Sequence, residues 1–456
     1  MSNSDRKYEM DMTSGPLLGK IIWFAIPVLL SGLLQTLYNA ADTIVVGQFA
    51  GAEALAAVGS TGSFTNLMIN LFLGLSVGAS AVVARNYGAG MLKDVSETVH
   101  TAVAIALIGG VLVAVAGVAF SRQMLELMGS PEDVIDLATL YLRIYFLGVP
   151  VNLLYNFGAA ILRAVGDTKR PLYYLSVSGI INVLLNLVFV IVLHMSVAGV
   201  ALATVISQCV SMVLVFKCLI RTESSIRLEL RRIRVHAQKA LEIVRIGLPA
   251  GVQSALFSFS NVLIQSTINS FGSTAMAGNA AASNIESFVG TAMNSLYQAA
   301  ITFTSQNLGA KKKERLKPII FQCLGLVTAL GVIFGWLTVA FDEQLLRIYT
   351  TDPEAIAAGV VRIRYMSTSH FLVGVMNVFV GGLRGLGYSF VSMIISLLGA
   401  CALRVVWIYT VFQLFPVLDT VYLSYPISWG LTALAQGICY ARCLKKTIVQ
   451  IDTRKA

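Results

Sequence analysis

The chain has 456 residues, 56% of them hydrophobic and only 12% charged, with a formal net charge of +10. A soluble domain carries about 25% charged residues, so this composition excludes an ordinary water-soluble globule. The basic residues are dispersed over short turns between apolar runs and not gathered on a patch, which excludes a nucleic-acid partner.

In chain order, the polar start MSNSDRKYEMDMTSGP lacks the apolar core and cleavage site of a signal peptide, and residues 1–16 are expected to form a cytoplasmic segment. Apolar runs follow from Leu17 onward, including Ala54–Ala84, Thr98–Ser121, Ile144–Leu162, Pro171–Phe216, Ile246–Ile285, Pro318–Phe341, Gly385–Leu403 and Thr420–Ala441. A bilayer-spanning helix needs about 20 apolar residues, and lipid leaves backbone groups no partner outside a helix or closed barrel. The run 171–216 is long enough for two spans turning near His194–Gly199, and 246–310 for two more turning near Phe271–Ser273. The expectation is an all-α polytopic membrane protein of twelve transmembrane helices. Lys and Arg collect on alternate connections (Arg85 and Lys93; Lys169 and Arg170; KKKERLK at 311–317), while SPEDVID at 130–136 and TDPE at 351–354 occupy the others. That bias predicts a multi-pass protein of the cell membrane with both termini cytoplasmic.

The chain is written twice. A displacement of 221 residues carries Asn86 onto Asn307 and Gly88 onto Gly309, and LRAVG at 162–166 onto LRGLG at 383–387; one residue more carries Pro27 onto Pro249. Six spans per half is an even number, so the halves should be parallel repeats related by an axis along the membrane normal. The expected organisation is a six-helix lobe over 17–220, a basic linker over 221–240, a second lobe over 241–443 and a cytoplasmic tail over 444–456. The linker's Ile226, Leu228, Leu230 and Ile233 predict an amphipathic helix lying on the membrane face.

The repeat also separates structural motifs from chemical ones. The glycines and asparagines after the second and eighth spans recur and read as turn geometry. Asp42 does not recur, and between Ile21 and Ala52 it is the only charged residue. A carboxylate inside a span is costly, by about 2.5–3.5 kcal/mol at a helix centre, and is therefore functional by default. Asn182 and Asn186, one helical turn apart, and Thr204 supply further oxygens that would surround a proton or a dehydrated Na⁺ with Asp42. Glu286 is the other carboxylate inside a span and is a second ion or substrate candidate. Tyr38, Met68 and Met293 are candidates to line a substrate cleft, and Pro27 is a candidate helix bend. The six cysteines and four histidines are scattered without metal-site or disulfide spacing, and no P-loop or nucleophile elbow occurs. No enzyme activity, no cofactor and no metal beyond a possible Na⁺ at Asp42 are expected.

The stretches IPVLLSGLLQTLYNAADTIVVGQFAGAEALAAVG and GLPAGVQSALFSFSNVLIQSTINSFG resemble the multidrug and toxic compound extrusion (MATE) family, over roughly residues 15–445. The resemblance implies a V-shaped monomeric transporter that exchanges H⁺ or Na⁺ for cationic amphipathic compounds by alternating access. It implies that Asp42, Asn182 and Thr204 form the ion cluster; Asn186 stands where some members carry a second aspartate. Family acids on the seventh and tenth spans are not matched, and the tenth offers His370 and Asn377 instead. A lipid or lipid-linked oligosaccharide flippase is the alternative. It would call for basic residues in the cavity, with Arg143, Arg364 and Arg404 as the candidates.

Overall fold

In a computed structural model that describes residues 8–50, 52–127 and 132–453, with side chains only in part over 51–68, the chain is helical wherever the apolar runs are. Before the midpoint lie α1 (Leu17–Phe49), α2 (Ala52–Gly88), α3 (Leu92–Leu127), α4 (Glu132–Ala164), α5 (Lys169–Asn186) and α6 (Ser196–Arg221). After it come α7 (Ala237–Asn269), α8 (Ser273–Gly309), α9 (Lys313–Ala340), α10 (Pro353–Thr368), α11 (His370–Gly385), α12 (Ser389–Ser396), α13 (Leu403–Tyr409) and α14 (Leu418–Thr453). Two stretches widen into π-helix: Leu187–Val192 directly after α5, and Leu397–Ala402 between α12 and α13.

Among the described residues nine helices are long and apolar enough to cross a membrane, and α10 with α11, bent by 44°, makes ten. The expected total of twelve is not reached by this measure, because α8 and α14 are long enough but too polar. Their polar side chains, among them Asn279, Glu286 and Gln306 on α8 and Ser428 and Gln436 on α14, are buried inside the protein and do not face lipid. The turns foreseen within the two longest runs are present. His194 and Ser196 take left-handed conformations at φ 52° and 49°, and Gly272 turns at φ 94°. The repeat is visible in the backbone as well: Gly90 (φ 69°) corresponds to Lys311 (φ 54°), and Gly166 (φ 91°) to Gly387 (φ 92°).

Two compact units emerge. One comprises the described residues up to Asp11 with Leu30–Gly251, the other Met12–Leu29 with Val252–Ala456. The divisions within α1 and α7 therefore fall just past Pro27 and Pro249, which interrupt those two helices. Inside the first unit, Gly74 and Gly78 on α2 meet Gly247 and Gly251 on α7. A methyl group at Gly74 would overlap the Gly251 backbone, and one at Gly78 the Ile243 carbonyl. Paired Gly-x-x-x-Gly stretches let helix backbones approach where lipid supplies no hydrophobic drive. In the second unit the rings of Phe24 and Phe303 meet edge to face, with centroids 5.7 Å apart and planes at 86°.

The linker differs from its expected form. Residues 222–236 are non-helical apart from one 3-10 turn at Leu230–Arg232. Ile226 and Leu228 are buried, and backbone donors that a helix would have used go elsewhere. Glu229 N donates to His100 Nε2 (3.0 Å), His236 N to Thr101 Oγ1 (3.1 Å) and Leu228 N to Leu219 O (2.9 Å). Side chains of α3 thus compete successfully with the helical ladder.

Candidate functional site

In the first unit, Asp42 projects from α1 toward α5 and α6. Its Oδ1 accepts from Asn186 Nδ2, and its Oδ2 accepts from Thr204 Oγ1 at 3.1 Å. Asn186 Nδ2 also reaches Asn182 Oδ1 at 3.3 Å, and Asn182 Nδ2 reaches Thr204 Oγ1 at 3.5 Å. The one-turn spacing puts both asparagines on one face of α5, and Asn186 is completely buried. The π segment begins at the next residue, Leu187; widened turns of this kind frequently adjoin functional sites. The four residues singled out from the sequence therefore form one hydrogen-bonded cluster. Among the described residues no Lys or Arg pairs with Asp42, and Asn186 Oδ1 is buried without a hydrogen-bond partner. The cluster combines one negative charge with amide and hydroxyl oxygens, a hard-oxygen set of the kind that suits a small cation or a proton.

Glu286 has a different environment. On α8 it is 6% exposed and paired with Arg362 of α10 through Nη2–Oε2 at 2.7 Å and Nε–Oε1 at 3.2 Å. Arg362 Nη1 also donates to Asn279 Oδ1, which accepts in addition from Tyr422 Oη at 3.2 Å. Glu286 is thus part of a closed, charge-balanced network, and the sequence missed its partner. Arg362 lies just before the uncharged run from Tyr365, where an arginine reads as an interfacial residue.

A profile of the family described as MatE matches residues 27–188 and again 249–410. The chain belongs to the MATE family. It is a multi-span membrane transporter, and its two profile matches are offset by 222 residues, within one residue of the internal repeat. Among its relatives, the "Probable multidrug resistance protein YoeA" of Bacillus subtilis is 30% identical over 73% of both chains. The "Multidrug export protein MepA" of Staphylococcus aureus is 22% identical over 86% of this chain and 87% of its own. The fold matches a solved outward-facing multidrug resistance MATE family transporter with a TM-score of 0.90, at 22% identity over 96% of this chain and 98% of the other.

The remaining MATE-chain candidates distribute unevenly. Tyr38 is partly buried, with its hydroxyl 3.4 Å from the Ser176 carbonyl and its ring closing on Gly179, so little room remains beside it on α5. Met293 is fully buried, its sulfur packed against Gly374 of α11, where the missing side chain makes room for it. Met68 lies outside the described side chains. Pro27 is buried in α1 and, having no N–H, removes one rung from that helix's ladder. Of the three arginines offered for a flippase cavity, Arg143 is exposed, Arg364 is exposed and lies 3.5 Å from Asp342, and Arg404 alone is buried. Arg384 of LRGLG is buried, donating to Tyr297 Oη and, at 2.8 Å, to Gln253 Oε1.

Proposed function

We propose that this chain is a secondary active multidrug efflux antiporter that exchanges H⁺ or Na⁺ for cationic amphipathic compounds, with Asp42 as the coupling-ion group. The observation that carries this reading is the Asp42 cluster. A carboxylate with no basic partner is held between Asn186 and Thr204, beside a buried amide oxygen without a donor. A proton or Na⁺ arriving there neutralises Asp42 and draws in the Asn182, Asn186 and Thr204 oxygens, repacking α1 against α5 and α6. Alternating access then follows if the repacked state holds substrate less tightly. Linkage makes the effect reciprocal, so the ion weakens the substrate as much as the substrate weakens the ion. The relatives' names, which speak of multidrug resistance and export, support drugs as the substrate class. The positive-inside bias supports cytoplasmic termini in the cell membrane, and a monomer suffices for the mechanism.

Ethidium efflux from energised vesicles tests the reading, with a proton gradient or a Na⁺ gradient imposed separately. Asp42→Asn is expected to abolish gradient-driven efflux while ethidium still binds, and the effective gradient names the ion. Normal transport by Asp42→Asn would leave Asp42 as a helix-end cap and remove the basis of the proposal.

A further inference from the structure

The second unit contains a cavity of about 390 Å³ whose lining residues all fall between Phe257 and Trp429, so it lies wholly within that unit. Its volume falls in the range of small-molecule sites, about 300–1,000 Å³. Two arginines line it, Arg362 and Arg404. Arg362 is neutralised by Glu286. Arg404 is not. It is 3% exposed, its Nε donates to Ser428 Oγ at 2.8 Å, and its Nη2 is buried with no hydrogen-bond partner. Among the described residues no carboxylate pairs with it. Its central carbon lies 4.1 Å from the Tyr425 ring centroid and 5.4 Å from that of Trp429.

A buried charge without a counter-charge is strongly unfavourable, and the aromatic faces compensate only part of it. The walls are otherwise suited to an organic molecule: Phe257, Met376 and Trp429 are apolar, and Asn377 offers an amide. An arginine fork matches carboxylate or phosphate oxygens in a bidentate pair, which a point charge does not. We infer that this cavity binds an aromatic organic monoanion, with Arg404 pairing its carboxylate or phosphodiester group and the apolar wall receiving its ring. The single uncompensated charge sets the valence. The site goes beyond the cation-exchange reading and is measured at equilibrium, so it stands or falls separately from efflux and from Asp42.

The test is isothermal titration calorimetry on the purified full chain with three probes of one shape: naphthoate, naphthalenemethanol and naphthylmethylammonium. Naphthoate is expected to bind saturably and about tenfold or more tightly than the other two, the scale of a hydrogen-bonded charge pair. Arg404→Gln should remove that preference, and Arg404→Lys should weaken naphthoate several-fold while retaining some preference. Repeating the titration in nanodiscs with and without phosphatidylglycerol identifies the source of the anion. A loss of apparent naphthoate affinity in the anionic nanodiscs, for the native chain and not for Arg404→Gln, identifies a lipid headgroup as occupant; equal affinities identify a free compound. The inference is overturned if the native chain shows no preference for naphthoate, or if the preference survives Arg404→Gln. Should that variant not fold, unchanged naphthoate affinity in Arg404→Lys overturns it equally.

Discussion

Replacing Glu286 by Gln should destabilise the second unit without a vacancy being created, because the two side chains have nearly the same shape. What is lost is the charge opposite Arg362, which is 8% exposed and makes three contacts of 2.7–3.3 Å to the two carboxylate oxygens. Breaking a buried pair by removing one partner costs about 3–5 kcal/mol, since the other charge stays buried. For a unit of this size that corresponds to a fall of roughly 10 °C in melting temperature, at about 2–4 °C per kcal/mol. The assay is thermal unfolding of detergent-solubilised protein, followed by size-exclusion chromatography after heating. Glu286→Gln combined with Arg362→Met should recover at least half of the loss, because it removes the guanidinium charge that Glu286→Gln alone leaves buried without a partner. A Glu286→Gln protein that melts with the native chain would refute the structural role. If that stable variant also lost gradient-driven efflux, Glu286 would be assigned to ion coupling instead.

Further outcomes are expected at six positions. Gly74→Ala places a methyl group into the Gly251 backbone and should cost about 1–3 kcal/mol by overpacking; Gly325→Ala, within α9 and with nothing within 4 Å, should stabilise by about 1 kcal/mol. The same thermal assay reads both. Lys311→Gly relieves a left-handed backbone at φ 54° and should raise stability by about 1 kcal/mol, whereas Gly90→Ala at the corresponding turn should lower it. Asp167, in the connection between α4 and α5 and 1% exposed, has its carboxyl pushed up from 3.8 to about 6 by burial, against the opposing pull of Arg170. A raised native value means that the folded state holds the extra proton. The contribution of Asp167 to stability is therefore complete below about pH 4 and, at about 3 kcal/mol, is lost as pH rises through 6. Melting temperatures taken across this window should show the decline in the native chain and its absence in Asp167→Asn. Thr204→Val, which keeps shape and deletes the 3.1 Å donor to Asp42, should weaken coupling-ion affinity by about tenfold in gradient-titrated efflux.

What the sequence made legible was whatever has a local signature. Apolar runs gave the helices, runs too long for one span gave the breaks near His194–Gly199 and Phe271–Ser273, and a solitary Asp42 with a one-turn asparagine pair gave a cluster that the fold brings together. What stayed hidden depends on distant partners. Arg362 meets Glu286 across 76 positions of chain, and no spacing rule connects them. The linker carries the right residues for an amphipathic helix, yet its backbone donors are claimed by His100 and Thr101, which lie over a hundred positions earlier. Met293 looks like any flexible apolar residue until Gly374 is seen to make room for it. The polarity of α8 and α14 hides their helical length from a hydropathy count for the same reason, because their surroundings are protein.

The two π segments bear on how this architecture can change over time. Leu187–Val192 begins right after Asn186, and Leu397–Ala402 ends two positions short of Arg404. An α-helix advances about 100° per residue and a π turn, which closes over one residue more, correspondingly less. Deleting one residue from the second segment would therefore wind it into ordinary α-helix and leave Arg404 nearly in place. The same deletion in α12 would swing it by about a quarter of a turn, away from the aromatic rings that flank it. No side chain would have been substituted. Chemistry in each half is thus indexed by residue count along a single helix, and the π segments are the places where a one-codon deletion is absorbed, while elsewhere on the same helix it retunes the site as sharply as a point mutation.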